Sequence, residues 1–206
     1  THNLAGYKGG YAARNLIGGV PPVAPALISG LGSSSRVPGR YIPVSLGYFV
    51  IGNSTGGQII YQNSQRKFIK EDHEESNEMF RNQNNFFQSD NISDEEATPN
   101  SFAKIRLGFR GSTNFHRQIL IGFMNENADE TYNLGYDGEI IDVQPNDIYF
   151  QLNDYKLVIQ GVGHFNANAS YPLTIKSSQN GTFNFMIDGL ENFDMNQPIY
   201  IHDSSD

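Results

Sequence analysis

The chain has 206 residues, with 14 Phe and 11 Tyr, no Trp, no Cys and a formal net charge of -8. The absence of cysteine excludes disulfides, thiolate metal sites and cysteine nucleophiles; the acidic balance argues against nucleic acid and anionic membrane surfaces, which call for a basic face. No apolar run approaches the length of a membrane span, and the aromatic content is β-sheet vocabulary on a chain long enough for one large β domain or two small ones.

The chain opens on Thr1 with no initiator methionine and no signal-peptide pattern, and it reads as a processed or excised piece of something longer, with a cloning boundary at Thr1 as the alternative. Residues 1–40 are rich in Gly, Pro and Ser, which oppose long regular elements, so one short strand near 11–17 is expected. Residues 41–51 read as a strand, 52–57 turn the chain and 58–62 bring it back as a hairpin. From 70 to 101 carboxylates mix with Asn and Gln, and only Met79-Phe80 and Phe86-Phe87 interrupt the polarity. That composition marks an acidic linker or mobile loop.

The alternation after it is clean. Ala103, Ile105, Leu107 and Phe109 fall on one face, with Lys104, Arg106 and Arg110 on a wet one. A second strand covers 117–124. Further strands are expected at 140–143, 148–150, 156–161, 171–176, 181–188 (Phe183, Phe185 and Ile187 inward) and 198–202. Strands at roughly 8–12-residue spacing with no helical period between them predict an all-β, antiparallel sandwich or jelly roll. The expected organisation is a Gly-rich β unit over 1–69, the acidic linker over 70–101, and a β-sandwich over 102–206 that lacks its last strands.

Few constellations point to chemistry. Gly52-Asn53-Ser54-Thr55-Gly56 fits the serine-hydrolase pattern, but that motif needs a helix after it; strand-forming Gln58-Ile59-Ile60-Tyr61 follows, so a hairpin tip is the better reading. His2, His73, His116, His164 and His202 are scattered without metal-site spacing. Asn-x-Ser/Thr sequons at Asn53, Asn91, Asn168 and Asn180 matter only where a secretory pathway reads them.

The richest stretch is the acidic, aromatic turn that opens residues 129–161. Asp129, Asp137, Glu139 and Asp142 could supply hard oxygen ligands for calcium. These carboxylates and Glu130 could also act in pairs on a glycosidic bond, which requires a cleft that the spacing does not provide, or they could simply build the turn. Tyr132 and Tyr136 could stack on a sugar ring or cap the sheet edge; the lack of Trp weighs against a lectin.

Several segments match a known region in order: Arg40-Tyr41-Ile42-Pro43-Val44, Gly47-Tyr48-Phe49-Val50, Asn63-Ser64-Gln65-Arg66-Lys67-Phe68, Ile105-Arg106-Leu107, Arg117-Gln118-Ile119-Leu120-Ile121-Gly122-Phe123, Gly135-Tyr136-Asp137-Gly138-Glu139, Asn146-Asp147-Ile148-Tyr149-Phe150, Val158-Ile159-Gln160-Gly161, Tyr171-Pro172-Leu173 and Ile199-Tyr200-Ile201-His202-Asp203. Together they resemble the β-rich region ahead of the C-terminal sorting domain in type IX secretion substrates of Bacteroidetes, large flavobacterial secreted proteins. The match spans nearly the whole chain except 70–101.

The resemblance implies export across the outer membrane through a sorting domain that this chain does not contain. It also implies release or anchoring at the cell surface, with no catalytic residue to carry over. The expected function is therefore a non-catalytic extracellular stalk, adhesin module or fibre-forming segment. The alternative is a calcium-assisted carbohydrate-binding module of a larger secreted enzyme or adhesin. Expected partners are the secretion machinery, a glycan, and other copies through strand pairing at an open sheet edge; no cofactor other than calcium is expected.

Overall fold

The alternation over 103–110 and the apolar run after Arg117 form the two central strands of a computed structural model that describes residues 11–23, 37–42, 44, 46–52, 54–68, 102–111, 116–124 and 131–203. The chain divides into two compact units, Thr1–Pro38 with Thr98–Asp206, and Gly39–Ala97. These boundaries differ from the expected division at 69/70 and 101/102, because the N-terminal segment packs with the C-terminal sheet. The acidic stretch 70–101 lies outside the described residues.

The first unit is all-β. Two short strands, β1 (Ala13–Arg14) and β2 (Gly19–Val20), form a hairpin. The strands β3 (Ala103–Arg110), β4 (His116–Phe123), β5 (Gly138–Glu139), β6 (Asp147–Leu152), β7 (Tyr155–Val162), β8 (Leu173–Lys176) and β9 (Asn184–Glu191) form one sheet. Its order is β8-β6-β7-β4-β3-β9, with β5 on β7. The β4–β7 pair is parallel and the other pairs are antiparallel. The expected all-antiparallel ladder is thus mixed, because β5 and β6 both run opposite to β7, so the chain reverses only twice between β4 and β7 and returns to the same direction. The expected strand at 140–143 is loop, and 198–202 forms no strand.

Strand β7 is where the sheet curls. Leu157 pairs with both Phe150 of β6 and Glu139 of β5, whereas Ile159 pairs with both Leu120 of β4 and Gly138 of β5. Strand β7 therefore keeps β5 on one side and exchanges β6 for β4 on the other. A strand that changes partners partway along forms a corner between layers. The tight β6–β7 connection depends on Asn153, whose φ of 51 lies in the left-handed region that Asn tolerates better than most residues.

The core gathers Ile105, Phe109, Ile119, Leu120, Ile121, Phe123, Ile148, Phe150, Leu157 and Ile159, together with Ile17, Val20 and Val23 from the N-terminal segment. Phe109 meets Phe183 and Phe185 at centroid distances of 5.7 and 5.6 Å. At the opposite end of β4, Phe123 sits among Phe165, Tyr171 and Phe193. Strand β9 carries a bulge at Asp188: Leu107 pairs with Ile187, but Arg106 pairs with Gly189. The extra residue moves the inward phase, so that Leu190 follows Ile187 on the face opposite Ile105. Of the three inward residues expected on this strand, Phe183 and Phe185 pack on the core and Ile187 is left half-exposed.

In the second unit the hairpin expected over 41–62 forms no strand among its described residues, which include one 3-10 turn at Asn63–Gln65. The hydroxyls of Tyr48 and Tyr61 are hydrogen-bonded, so the two limbs do meet. Gly56 takes the left-handed φ of 68, and the strand expected after the serine motif at 58–62 does not form. Among the described residues no helix is long and apolar enough to cross a membrane.

Gly122 shows how closely the N-terminal segment fits the sheet. A Cβ there would lie 2.5 Å from Cγ2 of Ile17, a fully buried β-branched side chain with little room to turn. Gly122→Ala is expected to lower stability by about 1–3 kcal/mol through overpacking, measured as a shift of the denaturant midpoint.

Candidate functional site

Two polar clusters lie in the sheet unit. The first grows from the face of β3 that the alternation marks as wet. Lys104 and Arg106 are 6% and 7% exposed, so this face is covered. Lys104 Nζ donates to Glu191 Oε2 at 2.9 Å and Arg106 Nε to Glu191 Oε1 at 2.6 Å. Arg106 Nη1 also donates to the Gly19 carbonyl at 2.7 Å and to Gln118 Oε1 at 3.1 Å. The β1–β2 hairpin is what the sequence alternation could not include: it lies on this face and satisfies one arm of the guanidinium.

The row continues along β9. Asp188, the bulged residue, leans over Gly108, where any Cβ would collide with its carboxylate. His116 Nε2 donates to Asp188 Oδ2 at 2.8 Å and Gln118 Nε2 to the same oxygen at 2.9 Å. The other ring nitrogen of His116, Nδ1, is buried without a hydrogen-bond partner. Among the described residues no hydroxyl meets that nitrogen.

The second cluster holds the acidic turn. Arg117, 2% exposed, forks onto the wholly buried Asp147 with Nε to Oδ1 at 2.8 Å and Nη2 to Oδ2 at 2.9 Å. Both terminal nitrogens of Arg117 also reach Asp142 Oδ1 at 3.2 Å. Asp147 Oδ2 further accepts the Gln144 backbone N–H. The second carboxylate of note, Asp137, is 5% exposed; it accepts the Asn133 N–H at 2.7 Å and the Gly161 N–H at 2.8 Å, which clamps the turn to β7. The N-terminal segment closes over it, with Asn15 Nδ2 on the Tyr136 carbonyl and the Leu16 N–H on the Gly135 carbonyl.

The residues suggested for calcium and sugar fall as follows. Asp129 lies outside the described residues. Asp137 is bound to backbone N–H groups and Asp142 to Arg117, while Glu139 hydrogen-bonds Tyr132. The structure engages each with a different partner, and among the described residues no three His, Asp or Glu side chains gather into a cation shell. Such a shell needs several oxygens converging on one point, so the described donors do not fit the ion together. Tyr132 packs on Tyr155 with centroids 4.4 Å apart and the rings tilted by 31°, and Tyr136 is half-buried against the core beside Gly161. A groove of about 500 Å³ lies between β8 and β9, lined by Ser177, Ser178, Gln179, Asn180, Gly181 and Phe183, with no ionisable side chain.

Electrostatics follow the packing. Burial pushes the Tyr132 hydroxyl up, the nearby Glu139 and Asp137 charges add to it, and the result is about 12. Burial also pushes Asp142 above its ordinary value, against the pull of Arg117. Burial acts the same way on Asp188 and Glu191 but is outweighed. Hydrogen bonds from His116 and Gln118 hold Asp188 below the usual range, and Lys104 and Arg106 do the same for Glu191.

These features define an all-β domain whose buried charged side chains, among the described residues, are engaged by one another or by the backbone. The chain belongs to a family described as a domain of unknown function (DUF8693), whose model matches residues 9–206. No curated protein and no solved structure matches it.

Breaking the buried fork is expected to be costly. Asp147→Ala leaves a buried guanidinium without its main partner and should destabilise by about 3–5 kcal/mol in denaturant titration. Arg117→Lys should recover little, because an ammonium cannot span both carboxylate oxygens. Asp188 and Glu191, held below the usual carboxylate range, stabilise the fold above about pH 4, and that contribution is lost as pH falls through their folded values. Asp142 has the opposite sign, since protonation relieves its burial cost. A double variant, Asp188→Asn with Glu191→Gln, should flatten the acid limb of stability against pH between about pH 2 and 5.

Proposed function

We propose that this chain is a non-catalytic segment of a surface-displayed bacterial protein, a stalk, adhesin module or fibre subunit exported by the type IX route. What supports the non-catalytic reading is that the charged groups of the polar clusters are engaged within the unit, while the unpartnered Nδ1 of His116 is buried and faces no solvent. Lys104 and Arg106 share the carboxylate of Glu191, Asp188 is taken by His116 and Gln118, and Arg117 by Asp147 and Asp142. A reacting group needs an unspent lone pair or proton facing a substrate, and the groove lined by Ser177 to Phe183 offers no ionisable group to supply one. Export rests on the ordered resemblance described above, which runs from Arg40 to Asp203.

Strand pairing at the sheet edges is not the favoured mode of self-association. Strand β8 is only four residues long and β9 is bulged at Asp188, and both features blunt an edge against pairing. The carbohydrate-binding alternative would have to use a Tyr132 ring that already packs against Tyr155.

Labelling intact cells of the source organism with an antibody to this segment tests the location: surface signal is expected, and retention inside the cell overturns export. Calorimetry of the purified chain with calcium and with a panel of bacterial and algal glycans tests the alternative. No heat is expected, whereas saturable, calcium-dependent binding would replace this reading with the carbohydrate-binding module.

A further inference from the structure

Asparagine followed by glycine is prone to a reaction of the chain with itself. The backbone nitrogen of the second residue attacks the side-chain carbonyl carbon of the first. Glycine permits this because it has no Cβ to crowd the approach and few limits on its dihedrals. Asn180-Gly181 is the only Asn-Gly pair in the sequence. Asp137-Gly138 and Asp188-Gly189 offer the same ring closure, with a carboxylate, a poorer electrophile, in place of the amide. The fold treats the three pairs differently.

Two are locked. Asp137 accepts the Asn133 and Gly161 N–H groups, and Gly138 is paired with Ile159 in the β5–β7 ladder. Asp188 holds His116 and Gln118, and Gly189 is paired with Arg106 in the β3–β9 ladder. To bring nitrogen and carbon together, each pair would have to give up its hydrogen bonds and its register. Asn180 and Gly181 are exposed and lie between β8 and β9, outside any strand. Anchoring of this connection stops short of them. Asn146 Oδ1 accepts the Ser178 N–H at 2.9 Å and the hydroxyls of Ser177 and Ser178 at 3.2 Å. Among the described residues no hydrogen bond holds the Asn180 side chain or the Gly181 N–H.

We infer that Asn180 is a self-modification site in the folded chain: it cyclises onto Gly181 and reopens as aspartate or isoaspartate, which places a carboxylate in the groove between β8 and β9. Hydroxide removes the Gly181 N–H proton as the nitrogen bonds to Asn180 Cγ, and the side-chain nitrogen leaves as ammonia, giving a succinimide ring. Water then opens the ring. Cleavage of the N–Cγ bond leaves aspartate; cleavage of the bond to the α-carbonyl carbon leaves isoaspartate, with the chain routed through Cβ and Cγ. One water is consumed, one ammonia is released, and nothing is oxidised or reduced. The groove lined by Ser177 to Phe183 has no ionisable side chain as synthesised, so its first charge arrives with age. The inference does not depend on the function proposed above.

Incubating the whole chain in warm, mildly alkaline buffer made with heavy-oxygen water tests it. Trypsin then releases residues 177–206 as one peptide, because no Lys or Arg follows Lys176, and fragment sequencing locates the change. The expected product carries the mass gain of one deamidation with one heavy oxygen at Asn180, ahead of every other Asn. Labelling by an isoaspartate methyltransferase is expected at the same residue. Gly181 has no left-handed φ, so Gly181→Ala crowds the attacking nitrogen without straining the backbone. That variant is expected to stay unmodified through the time in which wild type is half converted. A parallel incubation in guanidinium chloride separates the folded chain from the unfolded one. Conversion of Asn180 only in the denaturant overturns the inference. So does a Gly181→Ala chain that converts as fast as wild type, or isoaspartate at Asp137 or Asp188 of the folded chain appearing as fast as at Asn180.

Discussion

The buried fork from Arg117 to Asp147 is the interaction on which the sheet's shape depends. Strand β7 gives up β6 and takes β4 at the level where this fork lies, and the fork ties the start of β6 to the start of β4. A buried ion pair is seldom worth more than a well-packed apolar substitute. Its value here is geometric, since a bidentate guanidinium accepts only one relative placement of the two strands. Gln144 and Asp142 complete the arrangement, so the loop before β6 is held by the same charge.

A second constraint acts on the other polar face. Lys104 and Arg106 could be removed from water only because Glu191 arrives from β9 and the Gly19 carbonyl arrives from the N-terminal hairpin. Buried charge without such partners would be prohibitive. The hairpin is admitted by small residues: Gly122 leaves space for Ile17, and Gly18 lies against Leu120. The chain's first described residues are therefore part of the sheet's core and not a separate β unit.

The two units spend their side chains in contrasting ways. In the sheet unit most carboxylates and cations of β3, β4 and β9 are turned inward and paired, which leaves little chemistry on the outside. In the segment 39–68 Val44, Phe49 and Phe68 are turned outward.

Residue pattern alone was enough to give the all-β class, the two central strands and the β6–β7 pair, because period-two alternation and short β-branched runs are local properties of the chain. It also sufficed to dismiss the serine motif, whose neighbours are visible in the sequence. Tertiary structure decided the rest. Lys104 and Arg106 read as wet because alternation reports polarity and cannot report a cover supplied from 85 residues away. Asp137 and Asp142 read as cation ligands because spacing shows which carboxylates are near, whereas their real partners, the Gly161 N–H and Arg117, come from other strands. The couple of His116 and Asp188, 72 residues apart, had no sequence signal at all. The parallel β4–β7 pair and the bulge at Asp188 were equally invisible, since register and partner choice are set by long-range packing and not by the composition of either strand.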